Sequence, residues 1–216
     1  MQISKILASL LITFGAMQVA NATVIDFNSN PDGVYFIGST TSNGFTIANA
    51  PVADNNIGTM SNFDSQGMTD GTIYLGAWSN TYSSTGIVIN ATDNSLFSMQ
   101  SFSFDNAYPV GYNVFGATGN SRTDSLTVVG TFANGSTTSE TFSGLSGVVA
   151  FETLTLNSSF QNLASVTVTA NGAPYVRALY DNFTVNAAAV PEPATYSMML
   201  LGLGLMGFMV HRKKSA

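Results

Sequence analysis

An all-β chain, folded as an antiparallel β-sandwich of the jelly-roll kind, is what this 216-residue sequence predicts for its central region. Three observations carry the expectation. Charged residues make up only 8% of the chain, and Gly, Ser, Thr and Asn fill their place, which suits polar but uncharged β faces. Short runs alternate with period two, as in SFSF at 101–104, TLTL at 153–156 and VTVT at 166–169. Turn pairs recur between the runs: Asp32-Gly33, Asn43-Gly44, Asp70-Gly71, Asn134-Gly135 and Asn171-Gly172.

In chain order, strands are expected at 24–27, 34–37, 45–48, 72–75, 87–89, 96–104, 125–132, 138–142, 153–156, 164–169 and 175–185. Alternation gives each strand one apolar and one wet face, so two antiparallel sheets packed together bury the apolar sides. The central region shows no helical period and no fixed repeat, which argues against a solenoid.

Charge is unevenly spread. Between Thr23 and Ala189 there are eleven acidic residues but only two basic ones, Arg122 and Arg177, for a formal charge of −9. Such a surface repels phosphate backbones and excludes nucleic acid as a partner. The absence of cysteine removes disulfides, thiolate zinc sites and cysteine nucleophiles together.

The two ends read as addresses. At residues 1–22, Lys5 precedes an apolar stretch from Ile6 to Val19, and Ala20-Asn21-Ala22 places small residues at −3 and −1, the layout of a Sec signal peptide cleaved by signal peptidase after Ala22. The sandwich is expected over 23–186, followed by a linker at 187–193 containing Val190-Pro191-Glu192-Pro193. The uncharged run 194–210 would span about 26 Å as a helix, enough for a thin bilayer. The tail at 211–216 holds His211-Arg212-Lys213-Lys214, a basic stop retained on the cytoplasmic side, which leaves the main domain across the membrane.

A Val-Pro-Glu-Pro tetrapeptide, an apolar span and a basic tip, in that order, closely resemble the PEP-CTERM sorting signal of Gram-negative bacteria. The same tail has been described as an ice-binding-protein C-terminal domain, a description of the tail that gives no warrant for ice binding. The resemblance implies handling by an exosortase, a membrane-embedded transpeptidase-like enzyme that cuts near the motif. It implies delivery to the cell surface or a biofilm matrix, after transient anchoring in the inner membrane with the domain in the periplasm. Two prolines keep the segment extended and out of helix and sheet, a suitable handle for such an enzyme. The pieces VIDFNSNPDGVYF and RALYDNFTVN further resemble the first and last strands of jelly-roll domains carried by proteins with this tail.

In carbohydrate-binding jelly rolls, acids from the first and last strands often hold a structural Ca²⁺, and the corresponding residues are Asp26 and Asp181, with Asp32 a third. Asp181 shares strand parity with Leu179, Phe183 and Val185, so it is expected to point inward with them and to need a partner there: an ion, or Arg177. The acidic stretches ADNNIG at 53–58 and DSQGMTDG at 64–71 lack EF-hand spacing and read as turns. Trp78, with Tyr74 and Tyr82 four positions to either side, either stacks on a sugar from a loop or plugs the core; Tyr108 and Tyr112 pose the same alternative.

The sole histidine, His211, lies in the tail, so the domain has no Ser-His-Asp or Cys-His set and no histidine-rich metal site. Carboxylate pairs alone can drive glycoside hydrolysis, but none stands out. Ice binding requires a flat, regular array of residues such as threonine, and the T-x-T pieces are brief and unrepeated along the chain. The expectation is a noncatalytic exported sandwich that binds or accompanies exopolysaccharide. The alternatives are a polysaccharide-acting hydrolase or lyase and a purely structural coat or adhesion protein.

Overall fold

The computed structural model describes residues 22–52, 55–60, 72–79, 82, 84–106, 123–145, 150–172, 176–187 and 202–203. The chain divides into the unit Asn21–Ala188 and a second unit made of Met1–Ala20 with Ala189–Ala216. Of the second unit only Gly202 and Leu203 are described, both helical. The signal peptide up to Asn21, the Val190–Pro193 motif, the rest of the 194–210 span and the basic tip therefore lie outside the described residues. Among the described residues no helix is long and apolar enough to cross a membrane.

The first unit is built from strands β1 (Ala22–Ile25), β2 (Val34–Ile37), β3 (Ser39–Ser42), β4 (Phe45–Asn49), β5 (Asn56–Met60), β6 (Tyr74–Trp78), β7 (Ser84–Ala91), β8 (Phe97–Asp105), β9 (Thr123–Phe132), β10 (Thr137–Ser143), β11 (Glu152–Thr155), β12 (Leu163–Gly172) and β13 (Arg177–Ala187). Every described pairing is antiparallel. The pairings resolve into two layers. One runs β2-β5-β6-β13-β8-β11, with β1 on β13 beside β6; the other runs β3-β4-β7-β12-β9-β10. A single β12–β8 pairing, Leu163 opposite Phe97, joins them at one border.

The alternating residues of both layers meet in one core. Phe27, Phe102, Phe104, Tyr180 and Phe183 come from the first layer, and Ile47, Ile87, Ile89, Val128, Val166 and Val168 from the second; all are fully buried. Rings cross the gap edge-on, Phe45 to Phe97 at 5.2 Å between centroids and Phe102 to Phe142 at 6.3 Å. Each large apolar side chain removed from water in this way contributes about 1.5–3 kcal/mol.

Eleven expected strands correspond to observed ones within a few residues, and two observed strands were not expected. Strand β3 reads Ser-Thr-Thr-Ser, with no apolar residue to reveal alternation; it is held by β4 across a two-residue turn in which Asn43 and Gly44 both adopt positive φ, 47° and 83°. Strand β5 contains Asn56, Ile57 and Gly58, so the end of the ADNNIG stretch is a strand and not a turn. Asn171-Gly172 is likewise the end of β12 and not a turn.

Strand β13 carries the irregularity that matters most for the site. Between the pairs Asp181–Ser103 and Thr184–Ser101 it has one residue more than β8, and Asn182 takes φ 49°. This β-bulge resets the alternation. Ala178 and Tyr180 before it, and Phe183 and Val185 after it, all face the core.

Candidate functional site

The reset overturns the parity argument for Asp181. On the stretch before the bulge, Asp181 alternates with core-facing Tyr180 and shares the outer face of the first layer with Arg177 and Leu179. Register places Trp78 opposite Arg177, Gly76 opposite Leu179, and Ser103 and Asp105 opposite Asp181 and Leu179. Because Leu75 and Ala77 point into the core, Tyr74 and Trp78 belong to this same outer face.

That face is closed. Tyr74 is 1% exposed, Trp78 6%, Arg177 2%, Asp105 3% and Asp181 fully buried. Trp78 sits on β6, not on a loop, and in this closed arrangement neither it nor Tyr74 offers a ring face to a sugar; Tyr74 instead meets Phe151 edge-on at 5.6 Å. Only Tyr82 is open, at 49%, with its N–H donated to the Ser79 hydroxyl at 2.9 Å. Tyr74 and Trp78 thus stand at the two ends of one strand face, and Tyr82 lies beyond the strand; Tyr108 and Tyr112 lie outside the described residues. Arg177 donates through Nη1 to the carbonyls of Ser79 (2.7 Å) and Val176 (3.2 Å), and its own carbonyl accepts from the Thr123 hydroxyl at 2.7 Å. These are bonds that lock strands.

Asp181 Oδ1 accepts the Asn182 N–H at 2.8 Å, and its Oδ2 accepts from Asn182 Nδ2 at 3.1 Å and the Thr72 hydroxyl at 3.3 Å. The bulge therefore also supplies the donors that a buried carboxylate requires. Asp26, just past β1, accepts the Asn28 N–H at 3.3 Å, and its carbonyl accepts from the Ser42 hydroxyl. Asp32 lies exposed in the following turn. Among the described residues no three acidic or histidine side chains gather closely enough to hold a metal ion. Asp26, Asp32 and Asp181 form no such group. Of the cleavage-site residues, Ala22 opens β1, paired with Asn186; Ala20 lies outside the described residues.

The opposite surface of the molecule carries a pattern that reading along the chain does not reveal. On the outer face of the second layer, register aligns Thr41, Thr46 and Asn90 on three strands and Ser165, Thr131 and Thr137 on the next three, the two halves meeting one residue past the Ile89–Val166 pair. The next row is Ser39, Ala48, Val88, Thr167, Val129 and Ser139. Beyond it lie Gly86, Thr169, Thr127 and Thr141, then Ser84, Asn171, Ser125 and Ser143. Eight threonines and six serines occupy twenty positions, none of which is charged. The one position without a side chain, Gly86, has no room for one: a Cβ there would stand 2.8 Å from the Val168 carbonyl oxygen. Neighbours within a row stand about 4.8 Å apart and the rows about 6.8 Å apart, a platform roughly 20 Å long that is about 24 Å wide over the first two rows and about 14 Å over the last two. The available signal was the polar phase of each alternating run, which is Thr or Ser where most soluble strands carry charge.

Residues 189–213 match the family described as the PEP-CTERM protein-sorting motif. The chain carries this sorting tail. No curated protein matches the chain. Among solved structures, the tail-bearing chain is similar to the CBM22-1 xylan-binding domain from Paenibacillus barcinonensis Xyn10C, with 16% identity over 82% of this chain and 100% of that one and a TM-score of 0.43. It is similar also to a family 11 carbohydrate-binding module from Clostridium thermocellum, solved with a β-1,3-1,4-mixed-linked tetrasaccharide (10% identity, 72% and 95% covered, TM-score 0.39). A third likeness is to a mutant form of the family 29 carbohydrate-binding module CBM29-2 (11% identity, 80% and 97% covered, TM-score 0.44).

Proposed function

We propose that this chain is an exported, noncatalytic β-sandwich, delivered through an exosortase to the cell surface or extracellular matrix, where it associates with exopolysaccharide. The observation that carries the reading is the sorting tail at residues 189–213. The parts of that tail support it in physical terms. The prolines of Val190-Pro191-Glu192-Pro193 lack N–H donors and keep a short segment extended for an enzyme to grip. The apolar 194–210 run holds that segment at the bilayer, and His211-Arg212-Lys213-Lys214 retains the far end in the cytoplasm.

A noncatalytic role is supported by the bonds that three of the eleven acids make. Asp181 is held by Asn182 and Thr72, Glu140 accepts from the Asn157 N–H (2.9 Å) and side-chain amide (3.0 Å), and Asp93 accepts from the Ser95 N–H at 2.9 Å. Hydrogen bonds from the Ser95 side chain and N–H hold the Asp93 carboxyl below its usual range, so it stays ionised as a turn anchor. These carboxylates stabilise turns and strand borders.

Replacing Pro191-Glu192-Pro193 with three alanines tests delivery. The expected result, followed by immunoblot of cell fractions, is accumulation of a longer, membrane-held form. A tail-free form that still appears on schedule refutes the sorting reading. Incubation with polysaccharides tests the second half: binding without release of reducing or unsaturated ends is expected, and product release would establish the carboxylate enzyme instead.

A further inference from the structure

We infer that the outer face of the second layer, the Thr/Ser platform on β3, β4, β7, β12, β9 and β10, is the surface that grips polysaccharide, and that its partner is an uncharged, polyhydroxylated chain. The inference rests on the polysaccharide-associating reading above and names both the place and the class of ligand. The platform has no Lys or Arg to attract an acidic polymer, and the domain around it has a formal charge of −9, which repels one. A neutral polymer meets no such repulsion, and neither side has an ion to desolvate.

The face residues are exposed or half-buried, apart from Gly86. Thr46 shares a 3.5 Å contact with Thr92, and Thr127 accepts from Asn171 at 3.5 Å; the other hydroxyls on the platform bond no side chain among the described residues. A hydroxyl donates and accepts at once, which matches the hydroxyls of a neutral sugar in either orientation. Threonine side chains are stiff about χ1, so rows of them lose little entropy when a ligand orders them. Val88 and Val129, in the second row, supply apolar patches for the C–H faces of the rings.

The test uses the full chain in neutral detergent, with depletion isotherms on insoluble cellulose and β-1,3-glucan and on calcium-alginate beads. Two variants address the platform: Thr167→Lys, which sets a charge at its centre, and the triple change Thr127→Val, Thr131→Val and Thr169→Val, which removes hydroxyls but keeps β-branching. Thr153→Val, on exposed β11 of the other layer, is the control. Binding to a neutral glucan is expected, weakened about tenfold or more in both platform variants, with unchanged melting and no effect in the control. Neutral binding that survives both variants overturns the platform and leaves the polysaccharide reading standing. Binding to alginate alone overturns the ligand class. Self-association abolished by Thr167→Lys would instead make the platform an interface between copies. Absence of binding to all three polymers ends the polysaccharide reading itself.

Discussion

Changing Tyr180 to phenylalanine deletes one oxygen from the centre of the sandwich. Tyr180 is fully buried, its ring lies 6.0 Å from Phe104 and 6.2 Å from both Phe102 and Phe183, and its hydroxyl has no hydrogen-bond partner among the described residues. A hydroxyl taken from water without a partner costs about 1–3 kcal/mol, whereas the ring contacts are the same in phenylalanine. Tyr180→Phe should therefore stabilise the domain by about 1 kcal/mol, a rise in the unfolding midpoint of about 2–4 °C for a domain of this size. Thermal unfolding followed by near-ultraviolet circular dichroism reads this directly. The pH dependence supplies a second check. Burial pushes the Tyr180 phenol far above its ordinary value of 10.0. The stability of the domain is therefore independent of this group below about pH 10 and falls as pH rises above it, because only the unfolded state gives up the proton, at about 1.4 kcal/mol per pH unit. The variant should lose one proton's worth of that slope. A fall in the midpoint of Tyr180→Phe would refute the reasoning, since it would mean that the hydroxyl is satisfied, as a buried water could arrange.

Two further predictions concern the closed face of the first layer. Trp78→Ala should cost about 3–5 kcal/mol, because the indole is 6% exposed, yet leave glycan affinity per folded molecule unchanged; a well-folded Trp78→Ala chain that has lost glycan binding would return the site to this face. Calcium and excess chelator should leave the unfolding midpoint unchanged, because the Asp181 carboxylate already accepts three hydrogen bonds; a calcium-dependent rise that Asp181→Asn abolishes would place an ion there.

The layers were legible in the sequence because alternation is a local signal. Val-Thr-Val-Thr at 166–169 announces one buried and one wet side, and β12 has that form, with Val166 and Val168 fully buried. Strand β3 was illegible for the same reason: Ser-Thr-Thr-Ser has no apolar phase, and only its ladder with β4 makes it a strand. The burial of Asp181 was legible in the last strand, but the face it takes was not, because a bulge depends on what the neighbouring strand does, and β8 is far away in the sequence. The platform escaped for a related reason. Thr46, Thr127 and Thr169 come from three separate strands, so the repetition missing along the chain runs across it, in a direction visible only once register is known.

The pairing of β1 with β13 has a mechanical consequence. Ala22 lies opposite Asn186, so the domain's first and last residues leave from the same end of one strand pair. Tension between those two ends would peel the pair open one rung at a time, the geometry that resists least. Tension between the tail and a load held anywhere on the second layer acts differently. It drags an eleven-residue strand lengthwise past β8 on one side and β1 and β6 on the other, so many rungs must fail together. A domain tethered by its last strand and gripped by its far face would thus be loaded in shear, the direction in which a sheet is toughest.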